Sequence, residues 1–436
     1  MKILDPAQIR ALDAYTLQHE SLASVDLMER AALAFTAWFS GKFDPGHPVK
    51  VFCGVGNNGG DGLAIARLLV AKKYPVSAYV VAYSDQQSDD FVANYERLSK
   101  LLIIQHIKHV NNFPLIGNDE VFIDAIFGSG LSRPLEGLTR EVVELINEQA
   151  HPVVAVDIAS GLYADQANPP GSVIVQPDYT IAFQVPKLAF LLPQNAPFVG
   201  EWHTVDIGLN QAFIQKAPTP HHYLDDALAA GLIKPRTKFS HKGTFGHALL
   251  IGGSYGKIGA AVLASRACLR SGVGLLTVRI PQCGYEIIQT AVPEAMALTD
   301  DSYECFSFVP PLQPYTAVGV GPGLGKSEAT LQALGDLLLA LEQPRTEPQV
   351  ELPAGKHPGF HPGLVMDADA LNLLAENREL LKRLPPDAIL TPHPKEFERL
   401  AGKAENDYDR LDLLKEFART HRAYVVLTGA NTAVAS

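Results

Sequence analysis

The residues of this chain best placed to do chemistry stand in three short loops. GVGNNGGDG, Gly54 to Gly62, sets Asn57, Asn58 and Asp61 among glycines. DAIFGSGLSRP opens on Asp124 after the apolar run VFI, and DIASG opens on Asp157 after VVAV. The first stretch matches G-x-G-x-x-G through Gly54, Gly56 and Gly59, a pattern that is weak evidence on its own. A redox cofactor loop of this kind seats pyrophosphate on bare backbone N–H groups at a helix start. Asp61 at that helix start, read as ionised near neutral pH, would repel a diphosphate. It would suit a hydroxyl, an amide or a cation. Asn57 and Asn58 add carbonyl oxygens, which hard cations favour. Turn and cap roles for these residues are the plain structural alternative. If the three loops meet, Asn58, Asp124 and Ser160 could offer oxygens to one cation, and Asp157 could act as a general acid or base.

Such a meeting needs parallel strands with adjacent carboxyl ends. Asp5-Pro6 reads as a helix start, with Ile9, Leu12 and Thr16 at helical spacing; Ser24 could cap a second helix. VKVFCG, LAIARLLVAKK and VSAYVVAY form a β-α-β unit from Val49 to Tyr83 with the glycine loop at its first strand-to-helix turn. VFIDAIFGSGL, VVELINEQ, HPVVAVDIASGL, YTIAFQVPK and GEWHTVDIGL continue the alternation. QAFIQKAPTPHH, 211–222, reads as a linker. A second β-α-β unit follows in HALLIGG, GAAVLASRACLRSG and GLLTVRIP. The fold class expected is α/β in two domains, 1–215 and 223–436, each a mostly parallel sheet with ligands at the strands' carboxyl ends. Residues 342–362 read as a proline-rich surface loop.

Composition bounds the rest. The chain has 436 residues, 47% hydrophobic, with a net charge of −11. This argues against a general nucleic-acid binder and against a polybasic membrane surface. No run approaches the roughly 20 apolar residues of a membrane span. Four cysteines, none in C-x-x-C, read as reduced thiols and a cytoplasmic setting.

In the second half, GGSYGKIGAA, Gly252 to Ala261, is not a P-loop. That motif would need glycine at the position of Ile251 and Ser or Thr at that of Ile258. Its glycines still allow a ligand close to the backbone. GVGPGLG, MDADALN and TPHPKE are further strand-end loops, the last holding His393 between two prolines.

GVGNNGGDG, DAIFGSG, VDIASG, FQVPKLAFLLP and VDIGL resemble the epimerase domain of the NAD(P)H-hydrate repair enzymes over nearly all of residues 1–210. HKGTFGHALLIGGSYGKIGAA, GVGPGLG, DADALN, TPHPKE and LTGANT are similar to the ADP-dependent dehydratase domain of the same family over 235–436. The resemblance implies a Rossmann-like three-layer αβα domain followed by a ribokinase-like αβα domain. It implies epimerisation of NAD(P)H hydrate at C6, with Asp157 as acid/base and potassium held by Asn58, Asp124 and Ser160. Substrate contacts are implied at Asn57, Asn58, Gly59, Gly60 and Asp61, at Gly128, Ser129, Gly130, Leu131, Ser132, Arg133 and Pro134, and at Asp157. For dehydration of the S form it implies substrate contacts at Ala260, Gly323 and His393. ADP contacts are implied at Thr428, Gly429, Ala430, Asn431 and Thr432, with magnesium. A homo-oligomer is expected.

Two positions depart from the family pattern: Ala159 stands where proline is usual, and Thr428 where lysine is usual. The family's downstream G-x-G-D segment, which carries the dehydratase base, is not found before Ser436. No such base is therefore assigned in this chain, and little or no dehydration is expected of it. The alternatives are a ribokinase-like small-molecule kinase, a non-catalytic nucleotide-binding regulator, and an NAD oxidoreductase, against which Asp61 argues.

Overall fold

The structure, a computed structural model, describes residues 1–233, 235–342 and 362–436. The proline-rich segment expected as a surface loop lies, from 343 to 361, outside the described residues. The chain divides into two compact units, Met1–Ile233 and Lys234–Ser436. Both are α/β with mainly parallel sheets, as the alternation of apolar runs and helical patterns predicts.

The first unit runs α1 (Pro6–Glu20), α2 (Ser24–Lys42), β1 (Val49–Cys53), α3 (Asn57–Ala71), β2 (Val76–Val81), α4 (Asp89–Ser99) and β3 (Gln105–Ile107). It continues with β4 (Val121–Ala125), α5 (Gly137–Asn147), β5 (Val153–Val156), β6 (Tyr179–Phe183), β7 (Glu201–Val205), α6 (Gln211–Lys216) and α7 (Asp226–Leu232). The strands are all parallel, in the order β3-β2-β1-β4-β5-β6-β7. The order reverses between β1 and β4, and in such sheets the carboxyl ends at the reversal open a crevice.

Both sheet faces are covered, so the central strands are mostly apolar rather than alternating, with Lys50 of β1 buried against Glu120 and Asp124 of β4 against Ser160. On one face Phe35 and Phe39 of α2, Leu63 of α3 and Phe91 of α4 pack on Val51 and Ile123. On the other, Val142, Val143 and Ile146 of α5 pack on Phe122 and Ala155. Helix α1 starts where Asp5 accepts from the Gln8 N–H at 2.8 Å while the Gln8 side chain accepts from the Asp5 N–H at 3.1 Å. These two bonds close a capping box in front of Pro6.

Two local expectations are corrected. Ser24 is the first helical residue of α2, and its hydroxyl donates to Asp90 at 2.5 Å instead of capping. The segment 211–222 belongs to the body of the first unit. Asn210 caps α6 by accepting from Phe213 N–H at 3.0 Å, and Ile214 and Ala217 are buried with Leu12. A six-residue helix is too short to display a hydrophobic period, which is why its sequence reads as linker.

The second unit runs β8 (His247–Ile251), α8 (Ile258–Arg270), β9 (Leu275–Ile280), α9 (Tyr285–Ala291), β10 (Met296–Thr299), β11 (Ala317–Val320) and α10 (Glu328–Glu342). Then come β12 (Gly363–Met366), α11 (Asp369–Glu376), β13 (Ile389–Leu390), α12 (Pro394–Ala401), α13 (Asp407–His421), β14 (Tyr424–Leu427) and β15 (Ala433–Ala435). Its sheet order is β10-β9-β8-β11-β12-β13-β14-β15, parallel except for β15 against β14.

Candidate functional site

The crevice of the first unit is built on the carboxyl ends of β1, β4 and β5. The glycines of the first loop serve mostly to close it tightly. A Cβ on Gly54 would stand 2.0 Å from the Ile126 carbonyl oxygen, and one on Gly59 would stand 1.9 Å from that of Gly54. Gly56 faces open space. The fingerprint glycines thus bring α3 against β1 and β4, and only Gly56 leaves room for a ligand.

Asp124 lies inside β4, opposite Phe52, and is 1% exposed. Its carboxylate accepts from the Ser160 hydroxyl at 2.6 Å, the Ser160 N–H at 2.7 Å and the Ile126 N–H at 3.2 Å. Burial nevertheless pushes its carboxyl up to about 6, against these hydrogen bonds. The Ser160 hydroxyl also accepts from the Phe127 N–H at 2.8 Å, tying the loops after β4 and β5 together. A Cβ on Gly128 would stand 3.4 Å from Asn58 Oδ1, so the first loop meets the second. The Asn58 amide nitrogen is buried without a hydrogen-bond partner. The structure thus joins Asp124 to Ser160 directly and sets Asn58 against Gly128 of the same loop. Among the described residues no three His, Cys, Asp or Glu side chains could hold a metal ion, and this oxygen set is of a different kind. From Gly130 to Pro134 the chain is largely exposed, and Tyr83 packs against Phe127 with ring centroids 4.9 Å apart.

Asp157 follows β5 in the left-handed region, with φ +66°, a costly conformation for a residue with a side chain. Its N–H continues the ladder to Ile181 O at 2.9 Å, and its Oδ1 accepts from the Phe183 N–H at 3.1 Å. The same oxygen accepts from Lys187 Nζ. Lys187 is 1% exposed and also donates to the Val185 carbonyl at 3.4 Å. Sequence reasoning missed this lysine, although a lone cation inside the apolar run VPKLAFLLP was the available signal, since a buried lysine needs a partner.

The surroundings of Asp61 oppose the ionised state expected of it. Burial first, then the neighbouring Asp157, Asp13 and Asp90 carboxyls, push its carboxyl well above the ordinary range. A carboxyl pushed up in this way repels an anion less, which weakens that argument against a dinucleotide loop.

In the second unit the loops meet in two groups. A Cβ on Gly323, at φ +64°, would stand 2.9 Å from the Ala260 Cβ, and Ser254 donates to the Gly323 carbonyl at 2.8 Å. Asp369 accepts from the Gly325 N–H at 2.9 Å and from Lys257 Nζ at 3.3 Å. His393 caps α12, its Nδ1 accepting from the Lys395 N–H at 3.2 Å, and its side chain is half exposed. The Thr428 N–H donates to the Pro392 carbonyl at 3.0 Å, and the Thr432 hydroxyl donates to the Gly429 carbonyl at 3.4 Å. Ala260 and Gly323 are thus neighbours, and the His393 loop adjoins the 428–432 loop.

A family model described as YjeF-related protein N-terminus matches residues 24–189, and one described as NAD(P)H-hydrate dehydratase matches 248–436. The bifunctional NAD(P)H-hydrate repair enzyme of Moorella thermoacetica is 32% identical, over 100% of this chain and 82% of the relative. The chain belongs to the bifunctional NAD(P)H-hydrate repair enzyme family. The member from Escherichia coli K12 is 33% identical, over 95% of this chain and 75% of its own. A solved structure of the ADP/ATP-dependent NAD(P)H-hydrate dehydratase of Bacillus subtilis, co-crystallised with ATP and Mg2+, is 30% identical. It covers 48% of this chain and 67% of its own, with a TM-score of 0.37. The repair enzymes join an epimerase part to a dehydratase part, and the two matched regions fall one in each compact unit.

Proposed function

We propose that the first unit epimerises the R and S forms of NAD(P)H hydrate at C6, with Asp157 as its acid/base group. Asn57 to Asp61, Gly128 to Pro134 and Asp157 contact the substrate. The observation that carries this reading is the junction of three strand-end loops, in which Asn58 lies against Gly128, Ser160 bonds Asp124, and Asp157 stands beside a buried ammonium.

Epimerising a hydroxylated carbon beside a ring nitrogen requires loss and return of water, which needs protons moved but no hydride acceptor. The oxygens of Asn58, Asp124 and Ser160 suit potassium. The Asn58 amide, whose nitrogen is buried without a partner, stands against Gly128 of the loop that follows Asp124. When bound, the ion supplies a positive charge that steadies Asp124 as a carboxylate.

The second unit matches the dehydratase region of the family, and in the same reading its loops bind the S form and ADP, with magnesium. Ala260, Gly323 and His393 contact the hydrate, and Thr428, Gly429, Ala430, Asn431 and Thr432 contact the nucleotide. Phosphorylation of the C6 hydroxyl would make it a leaving group, and backbone N–H groups would steady the transferring phosphoryl. No catalytic base is assigned to this step. We place the protein in the cytoplasm as a homo-oligomer. Among the described residues no helix is long and apolar enough to cross a membrane.

The test mixes the purified protein with R-form NADPH hydrate and potassium and follows the epimers by chromatography. Exchange faster than the uncatalysed reaction is expected, and an unchanged rate would remove the epimerase reading.

A further inference from the structure

We propose that Lys187 is a positioning residue of the epimerase. Its ammonium and the Phe183 N–H hold one oxygen of Asp157, Oδ1, so that the other, Oδ2, is the atom that exchanges protons with the substrate. The inference rests on the reading of the first unit as an epimerase with Asp157 as its acid/base group.

Oδ1 of Asp157 accepts from the Phe183 N–H at 3.1 Å and from Lys187 Nζ. Among the described residues no hydrogen bond or ion pair reaches Oδ2. The side chain is 13% exposed, so it keeps a small opening to solvent. An aspartate's χ2 torsion is broad and roughly two-fold, and an unheld carboxyl presents either oxygen. Two donors on Oδ1 remove that choice. The backbone is fixed as well, by the left-handed φ of +66° and the N–H bond to the Ile181 carbonyl at 2.9 Å. Backbone and Oδ1 together settle where Oδ2 stands.

The lysine is itself held from both sides. Before it, Gln184 donates its N–H to the Val205 carbonyl at 2.8 Å. The Gln184 side-chain oxygen accepts from the Ile207 N–H at 3.1 Å and the Leu209 N–H at 3.2 Å. Pro186 then fixes the backbone next to the lysine. After it, the Ala189 N–H donates to the Ala164 carbonyl at 3.0 Å and the Phe190 N–H to the carbonyl of Lys187 at 3.1 Å. A lysine stem normally has much rotamer freedom to lose. Here folding has removed it before a substrate arrives, which is preorganisation.

Lys187, 1% exposed, has no surface to offer the substrate, so its effect passes through Asp157. Charge balance alone would be met by an ammonium beside either oxygen. The structure instead converges both donors on the same one. Each direction of the step then uses a single atom. The proton lost by a water adding at C6 goes to Oδ2 as the C=N electron pair returns to the ring nitrogen. The reverse step gives that proton back to the hydroxyl as the C–O bond breaks with its electron pair and the nitrogen's lone pair closes the C=N bond.

The test measures kcat and KM of epimerisation, with the uncatalysed rate subtracted, and thermal unfolding in wild type, Lys187→Arg and Lys187→Met. Lys187→Arg keeps a buried cation beside Asp157 and with it the fold, but a planar guanidinium does not place its donor where the ammonium stands. Its kcat is expected to fall roughly tenfold or more, with KM within about twofold and the unfolding temperature near that of wild type. Lys187→Met, assayed at a temperature where circular dichroism shows it folded, is expected to lose roughly 10²-fold in kcat, again at unchanged KM. A wild-type kcat in Lys187→Arg reduces the lysine to charge balance and overturns the proposal. So does a KM that rises in step with the loss of kcat, which would make the lysine a support of the substrate-binding loops. If wild type itself does not epimerise, the reading of the unit fails rather than the assignment of Lys187.

Discussion

Lys187 and Asp157 form an ion pair in which the lysine is 1% exposed and the carboxylate's backbone is left-handed. A lysine this buried is costly unless paired, and a carboxylate this placed is free to face the crevice only because β5 ends there. The pair joins the protein's stability to its proposed chemistry.

Removing one partner should therefore cost more than removing both. Lys187→Met is expected to lower the unfolding free energy of the first unit by about 3–5 kcal/mol, because Asp157 is left uncompensated. Lys187→Met combined with Asp157→Asn should be less damaging than the sum of the single changes. Urea unfolding of all four proteins, followed by far-UV circular dichroism, measures both quantities.

Asp157→Ala tests turnover. Epimer exchange is expected to fall by about 10²-fold or more. Binding of the hydrate, measured by calorimetry, should persist, since the first two loops still supply their contacts. A protein acting only as a nucleotide-binding regulator would show no epimerisation to lose.

Potassium should act through Asp124 in a pH-dependent way. A folded-state carboxyl raised to about 6 contributes stability that is full below the ordinary carboxylate range and is lost as pH rises through about 6. A cation that needs the ionised carboxylate has the opposite dependence. Potassium chloride is expected to raise the first unit's unfolding temperature more near neutral pH than at about pH 5, relative to sodium chloride. Asp124→Asn should abolish the difference.

Gly59→Ala is expected to destabilise the first unit by about 1–3 kcal/mol, and to release α3 from β1, because its Cβ would meet the Gly54 carbonyl oxygen at 1.9 Å. Gly56→Ala, with open space around it, should leave the unfolding temperature unchanged and weaken substrate binding. Thermal unfolding and calorimetry separate the two glycines.

In the second unit His393 has a cap to provide as well as a proposed contact to make. His393→Ala should lose about 1 kcal/mol through the missing N-cap. His393→Asn can keep the cap, and is expected to retain stability while weakening hydrate binding.

Much of this protein is legible from sequence. The β-α-β alternation, the position of each major glycine loop and the identities of Asn58, Asp124, Asp157 and Ser160 follow from short apolar runs ended by loop residues. Parallel strands buried on both faces are near-continuously apolar, and their carboxyl ends carry what the fold displays. The short helix α6 was not legible, because six residues carry no period.

What tertiary structure decided was which charges meet and in what state. Lys187 is 30 positions beyond Asp157 in the chain; no spacing rule joins them. The sheet order puts Asp157 beside Lys187, and burial with the neighbouring carboxyls pushes the Asp61 carboxyl well above the ordinary range. A residue's type is written in the sequence, but its protonation depends on the dielectric and the charges that folding places around it.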